Sequence, residues 1–249
     1  MNPVKIRNVQ IGVGIPKICV PIVGVTEEEI LTAAKEILTV PADIVEWRVD
    51  WYETALEIEQ VLVVAEKVRR VLGDLPLLFT FRTKAEGGEK EITFEDYKEL
   101  LLQVAKSNTV DMIDVEVFMN HNIADLIVAL KNEQVKVVGS NHDFEKTPEK
   151  QELIRRLCHM QVVGADIPKI AVMPQNSADV LTLLAATEEM NTKYADRPIV
   201  TMSMAGLGAV SRISGEIFGS AITFGTVKKA SAPGQIEVHK LKEILEILH

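Results

Sequence analysis

Ile44-Val-Glu-Trp-Arg-Val-Asp-Trp51 is the stretch whose reading decides the fold. Side chains on a strand alternate faces, so Glu46, Arg48 and Asp50 share one side. Val45, Trp47, Val49 and Trp51 share the other. On an exposed hairpin this split is ordinary half-burial. In a closed barrel the apolar side must meet the helices, and the charged side then points down the barrel axis. Three charges there have to pair with one another or with a ligand.

The same split recurs along the chain. Short apolar runs occupy 18–24, 44–51, 77–82, 112–117, 135–142, 167–173, 199–204 and 221–224. Amphipathic stretches at 27–38, 55–72, 94–107 and 177–194 alternate with them, and a last one covers 241–248. Strands alternating with helices mean parallel pairing through crossover helices. Eight such units in 249 residues predict an α/β fold, a (β/α)8 barrel, with a doubly wound open sheet as the alternative. Residues 4–17 alternate and carry Gly12-Val-Gly14, which predicts a β-hairpin ahead of the barrel. After Met204 only 210–218 offers a helix before the last one. No linker, charge block or repeat divides the chain, so 1–249 reads as one domain.

Within the barrel, Thr80 pairs in facing with Arg82, Asp114 with Glu116, and Ser140 with His142. Lys169 shares its side with Ile167, Ala171 and Met173. Charged inward residues cluster towards the strand C-termini, where barrels of this kind place their active sites. Two readings of Lys169 compete. A lysine early in a strand can snorkel to water. A buried lysine can instead present a free amine to a carbonyl. His142 ends the preceding strand on the same side, where an imidazole can serve as acid and base. No His, Cys and carboxylate set has metal-ligand spacing. Gly206-Leu-Gly208 reads as a turn rather than a phosphate loop.

The formal net charge of -9 argues against nucleic acid and anionic membrane as partners, though not against a small anion held by local arginines. Two cysteines, Cys19 and Cys158, are too few for a disulfide framework and fit a reducing compartment. The N-terminus lacks a signal-peptide apolar region, and no apolar run is long enough to span a membrane. These features predict a soluble, cytoplasmic protein.

Seven segments in order then carry a family resemblance: EWRVD (46–50), FTFR with Glu86-Gly-Gly (79–88), SNHDF (140–144), GADIPKIAVMP (164–174), TMSMAG (201–206), SRISGEIFGS (211–220) and SAPGQ (231–235). Over nearly its whole length the chain resembles the type I 3-dehydroquinate dehydratases, the Schiff-base class of the shikimate pathway. The resemblance implies a (β/α)8 barrel that converts 3-dehydroquinate to 3-dehydroshikimate by syn elimination, with no metal or cofactor, in a homodimer. It puts the imine-forming lysine at Lys169, the catalytic histidine at His142 and its acidic partner at Glu86. Arg212, Ser231 and Gln235 would hold the substrate carboxylate. Glu46, Arg48 and Arg82 would hold the ring hydroxyls, and Met202, Met204, Phe224 and Ala232 would form the wall.

Two positions depart from the family pattern. Pro21 replaces a serine found in some relatives and brings no polar contact. Gly139 stands where relatives have a bulkier residue. With Arg48, Arg82 and Arg212 as neighbours, Lys169 would add little stability as a cation, so Lys169→Met should fold at least as well as the wild type. The rival readings are a class I aldolase, separable by its taste for phosphorylated sugars, and a barrel that binds a carboxylate without turnover, separable by the absence of imine trapping.

Overall fold

Eight parallel strands wind round one axis in the computed structural model of the chain, which describes residues 2–227 and 232–249. A hairpin of β1 (Val4–Ile6) and β2 (Val9–Ile11) precedes them. The barrel strands are β3 (Lys17–Ile22), β4 (Ile44–Arg48), β5 (Leu77–Thr80), β6 (Met112–Glu116), β7 (Lys136–Asp143), β8 (Ile167–Val172), β9 (Val200–Ser203) and β10 (Ile222–Thr226). From β3 to β9 each pairs with the next in sequence, and β10 pairs with β3. The gap between β9 and β10 is closed by a bridge from Ile199 to Ser220, where the Ala221 N–H donates to the Ile199 carbonyl at 2.8 Å. That closure favours the barrel over the open sheet. A short strand, β11 (Ile236–Glu237), adds to β10 outside the ring.

Helices α1 (Glu27–Ile37), α2 (Ile58–Leu72), α3 (Phe94–Lys106), α4 (Ile123–Asn132), α5 (Lys150–Val162), α6 (Ser177–Glu189) and α9 (Val238–Leu248) cover the outside. Their starts are written in the sequence. Thr26, Thr93 and Asn176 cap α1, α3 and α6 by accepting an N–H three residues on. At α1 the Glu29 carboxylate also accepts the Val25 N–H, holding the entry to the helix. The single helix expected over 210–218 is two short ones, α7 (Ala209–Ile213) and α8 (Gly215–Phe218), broken at Ser214.

The apolar side of each strand meets the helices as expected. Trp47 on β4 is fully buried and packs edge-on against Phe79 of β5, ring centroids 5.6 Å apart. Inside the barrel, Cys19, Ile44, Leu78, Met112, Val138, Ile167 and Val200 form a separate apolar floor, and Ile6 and Ile11 of the hairpin close it from below. This floor forces the polar inward residues towards the opposite, C-terminal end.

The decisive stretch needs one correction. Strand β4 stops at Arg48, and Val49–Trp51 is a turn of 3-10 helix. Asp50 is therefore not a third inward rung. The turn swings it back onto Arg48, which grips it through Nε and Nη2 at 2.8 Å each.

The two departures have structural answers. In β3, Ile18 accepts from the Asp43 N–H and so faces β4, whereas Lys17 donates to Ala221 and faces β10. Alternation turns the Pro21 nitrogen towards β10, and that ladder has ended at Cys19. The missing N–H forfeits no sheet bond there. At Gly139, a Cβ would meet the Ala165 Cβ at 2.6 Å and the Val117 side chain at 3.0 Å. Glycine here lets β7 approach the chain entering β8.

Candidate active site

Four strands deliver the charged inward side chains to one level of the barrel. Lys169 projects from the middle of β8, 4% exposed, with Nζ 3.3 Å from Asp114 Oδ2 on β6 and 3.7 Å from Glu46 Oε1 on β4. The Phe224 ring of β10 covers it at 4.8 Å. Arg82, just past β5, ties the network together. Its Nη2 donates to Asp114 at 2.7 Å, and its Nη1 donates to Glu116 at 2.8 Å and to the Ser140 hydroxyl at 3.0 Å. Thr80 donates to Glu46 at 2.9 Å. Buried charges survive only when paired and hydrogen-bonded in this way.

The neighbours of Lys169 overturn one expectation. Its nearest charges are carboxylates, not arginines. Removing the ammonium leaves Asp114 and Glu46 with one cation fewer in a water-poor interior. Lys169→Met should therefore lose stability rather than keep it, by up to about 3 kcal/mol because Arg82 and Thr80 still serve the two carboxylates.

His142 and Glu86 form a tight pair. Both the backbone N–H and the ring Nδ1 of His142 lie 2.9 Å from Glu86 Oε2. Glu86 ends a 3-10 turn, Lys84–Glu86, that is reversed by Gly87 at φ +83. A Cβ at Gly87 would lie 2.3 Å from the Phe144 ring, so only glycine both makes this turn and admits the aromatic. Glu86 Oε1 accepts from Asn141 Nδ2 at 2.9 Å, and Arg156 Nη1 holds the Asn141 carbonyl oxygen at 2.9 Å.

Burial pushes His142 well below the usual imidazole value, helped by Arg82, Lys169 and Arg48. Burial and the Glu116 charge push Glu86 up to about 8, against Arg82 and the Asn141 hydrogen bond. A carboxyl raised on folding contributes stability below its unfolded value, and that contribution disappears as pH climbs through its folded value. The stability difference between wild type and Glu86→Gln should therefore shift against the wild type as pH rises from 4.5 to about 8. Urea unfolding of both proteins across that window checks it, and parallel curves would disprove the raised carboxyl.

Arg212 is 1% exposed. Its Nη2 donates to the Pro233 carbonyl at 2.9 Å and its Nη1 lies 3.8 Å from the Met202 sulfur. Its Nε has no partner, and no carboxylate pairs with it among the described residues. Burial alone pulls it down to about 10. A buried guanidinium without a counter-charge is a place prepared for an anion.

One cavity brings most of these groups together. Of the residues singled out from sequence, it is lined by Glu46, Arg48, Arg82, Glu86, His142, Lys169, Met202, Met204, Phe224, Ala232 and Gln235. Arg212 sits one layer behind, against Met202 and Pro233. Ser231 lies outside the described residues. Sequence reasoning had Asp114 and Glu116 on the right face but gave them no role. It missed Asn141, Arg156 and Phe144. Asn141 was within reach, since it stands inside the SNHDF segment, but Arg156 is a helix residue with no signal of its own.

A family model described as Type I 3-dehydroquinase matches residues 18–249. The 3-dehydroquinate dehydratase of Clostridioides difficile (strain 630) is 52% identical over 247 residues, 99% of this chain and 97% of that one. Its counterpart in Clostridium botulinum (strain Eklund 17B / Type B) is 55% identical over the same shares. Among solved structures, the type I 3-dehydroquinate dehydratase of Clostridium difficile with covalently modified comenic acid superposes with a TM-score of 0.96 at 52% identity, covering 100% of this chain and 98% of that one. At such identity over the full length, with the family's segments gathered round one cavity, the chain belongs to the Type I 3-dehydroquinase family.

Proposed function

We propose that this protein is a 3-dehydroquinate dehydratase of the shikimate pathway that forms 3-dehydroshikimate through a Schiff base on Lys169. The observation that carries the reading is the meeting of three features in one place. A buried lysine and a histidine–carboxylate pair share a cavity, and one layer behind its wall stands an arginine with no carboxylate partner among the described residues.

The chemistry follows from these groups. The reaction removes a proton next to a ketone and expels a hydroxyl one carbon further on. A ketone acidifies that proton modestly, and a protonated imine does so more strongly. Lys169 supplies the imine nitrogen, which accepts the electron pair as the C–H bond breaks. With Nδ1 turned to Glu86, His142 keeps Nε2 for the substrate. Neutral through burial, it takes the proton and passes it to the departing hydroxyl, which leaves as water. One group serving both steps fits a syn elimination. Glu86 fixes the ring and balances its charge when it holds the proton. Arg212, with Ser231 and Gln235, holds the substrate carboxylate. Glu46, Arg48 and Arg82 meet the ring hydroxyls, and Met202, Met204, Phe224 and Ala232 shape the wall. The whole operates within one domain, in the cytoplasm, as a homodimer. No helix among the described residues is long and apolar enough to cross a membrane.

Growth of the conjugated-enone absorbance after 3-dehydroquinate is added tests the activity directly. Silence with 3-dehydroquinate, together with turnover of a phosphorylated sugar, would move the protein to the aldolases. Arg212→Lys probes the carboxylate site. A lysine cannot reproduce the planar fork, so KM should rise by about tenfold or more with a smaller change in kcat. Unchanged kinetics would place the substrate carboxylate elsewhere.

A further inference from the structure

Asp114 was read from sequence only as an inward residue, and none of the roles assigned above uses it. It is fully buried on β6. Its Oδ1 accepts from Arg82 at 2.7 Å and from the Ser140 hydroxyl at 2.6 Å. These two bonds fix the carboxylate plane and leave Oδ2 aimed at Lys169 Nζ, 3.3 Å away. Burial works against its charge, but Arg82, Lys169 and Ser140 outweigh burial and hold it below the usual carboxylate range. It is a permanent negative charge on a rigid mount.

The other groups around Lys169 are fewer and looser. Glu46 on β4 stands 3.7 Å off, and the Phe224 ring on β10 offers its face. Cys19 on β3 and His142 on β7 sense the lysine charge, and Arg48 and Arg82 lie beyond the carboxylates.

We propose that Asp114 is a positioning residue that acts through Lys169, aiming its nitrogen in the free enzyme and serving as the fixed counter-charge of the protonated imine. This rests on the Schiff-base reading. The amine adds to the ketone carbon to give a carbinolamine. That intermediate takes up a proton and loses water, leaving the nitrogen doubly bonded to carbon with one hydrogen and a positive charge. The positive charge thus appears on Nζ when water leaves, within reach of the same Asp114 oxygen. A dipole or charge already in place loses nothing to reorganisation when charge develops beside it. Without Asp114 the imine would shed its proton more readily, and a neutral imine is a poor sink for the electrons of the C–H bond.

The test compares the wild-type protein with Asp114→Asn and Glu116→Gln. Glu116 binds the same Arg82 at 2.8 Å, but its other partner is Thr83 rather than Lys169. Each protein is mixed with 3-dehydroquinate and borohydride from mildly acid to alkaline pH, and the trapped mass is followed beside kcat and KM. Asp114→Asn should lose about 10²-fold in kcat, the scale of one preorganised electrostatic contact. The alkaline limb of its trapping profile should move to lower pH, and Glu116→Gln should keep the wild-type limb. Equal limbs in the two variants would reduce Asp114 to a partner of Arg82 and overturn the proposal. If Asp114→Asn shows no cooperative melt, Asp114→Glu takes its place. That change keeps a charge for Arg82 while displacing the oxygens, and it should move the limb the same way by less. A limb identical to wild type would overturn the proposal. Absence of trapping in the wild type overturns the Schiff-base reading itself, and this one with it.

Discussion

Lys169→Met should abolish imine trapping and lower turnover on the order of 10⁶-fold, the scale of losing a covalent nucleophile. Methionine matches the unbranched stem of lysine and presents a thioether where the amine stood. The cavity wall, the His142–Glu86 pair and Arg212 all remain. What disappears is the electron sink, and His142 alone cannot draw a proton from carbon beside an unactivated ketone at a useful rate. The variant also tests the charge network, because Asp114 and Glu46 each lose a neighbour. It should melt below the wild type, and a carboxylate ligand should still raise its melting temperature through Arg212. The decisive measurement is paired. Borohydride with 3-dehydroquinate should add a ligand mass to the Lys169 peptide of the wild type and nothing to the variant. Trapping at another lysine, or full activity in Lys169→Met, would sink the assignment.

The barrel was legible because its strands are unusual. A run such as 44–48 that is apolar on one parity and charged on the other has few places to go in a chain with helices between its strands. Helix starts were legible at Thr26, Thr93 and Asn176, where a side-chain oxygen stands three residues before the N–H it caps. Strand ends were not. The sequence reading ran β4 through Trp51, because Val49-Asp-Trp keeps the alternation. The 3-10 turn there is set by a tertiary event, the docking of Asp50 onto Arg48 and onto the N–H groups of Arg82 and Glu89. Position 214 was hidden for a related reason. A helical pattern over 210–218 does not reveal that the chain must turn to bring Ser220 to Thr201.

The site divided along similar lines. Face alternation placed Glu46, Arg82, Asp114, His142 and Lys169 on the inside of the barrel. Which of them touch depends on register between strands distant in sequence, and that was not legible. The sequence reading set Arg48, Arg82 and Arg212 near Lys169. The register of β4, β6 and β8 brings carboxylates to it instead and leaves the arginines one step away. The resemblance named Glu86 as the partner of His142. The outer members of that chain, Asn141 and Arg156, come from the end of β7 and from α5, and only the fold brings them together.

His142→Ala should leave the protein folded, keep the imine and slow turnover by roughly 10²–10⁴-fold, the range for lost acid–base catalysis. The fold survives because the backbone N–H of residue 142 still donates to Glu86, and Asn141 still holds the second oxygen. The imine survives because water can carry the protons of carbinolamine collapse, whereas removal of the carbon-bound proton needs a base in place. Formation then outruns elimination, and the imine should accumulate to a larger steady-state fraction than in wild type. Mass spectrometry after borohydride reads that fraction directly. The pH profile gives a second signature. In wild type the acid limb of kcat should report protonation of a buried imidazole, and burial with three nearby cations should hold that limb below the ordinary histidine range. The alanine variant should lose the limb altogether, since no group that titrates there remains in the proton path. Near-normal turnover in His142→Ala, or an acid limb unchanged in position, would remove His142 from the mechanism and hand the proton transfers to Glu86.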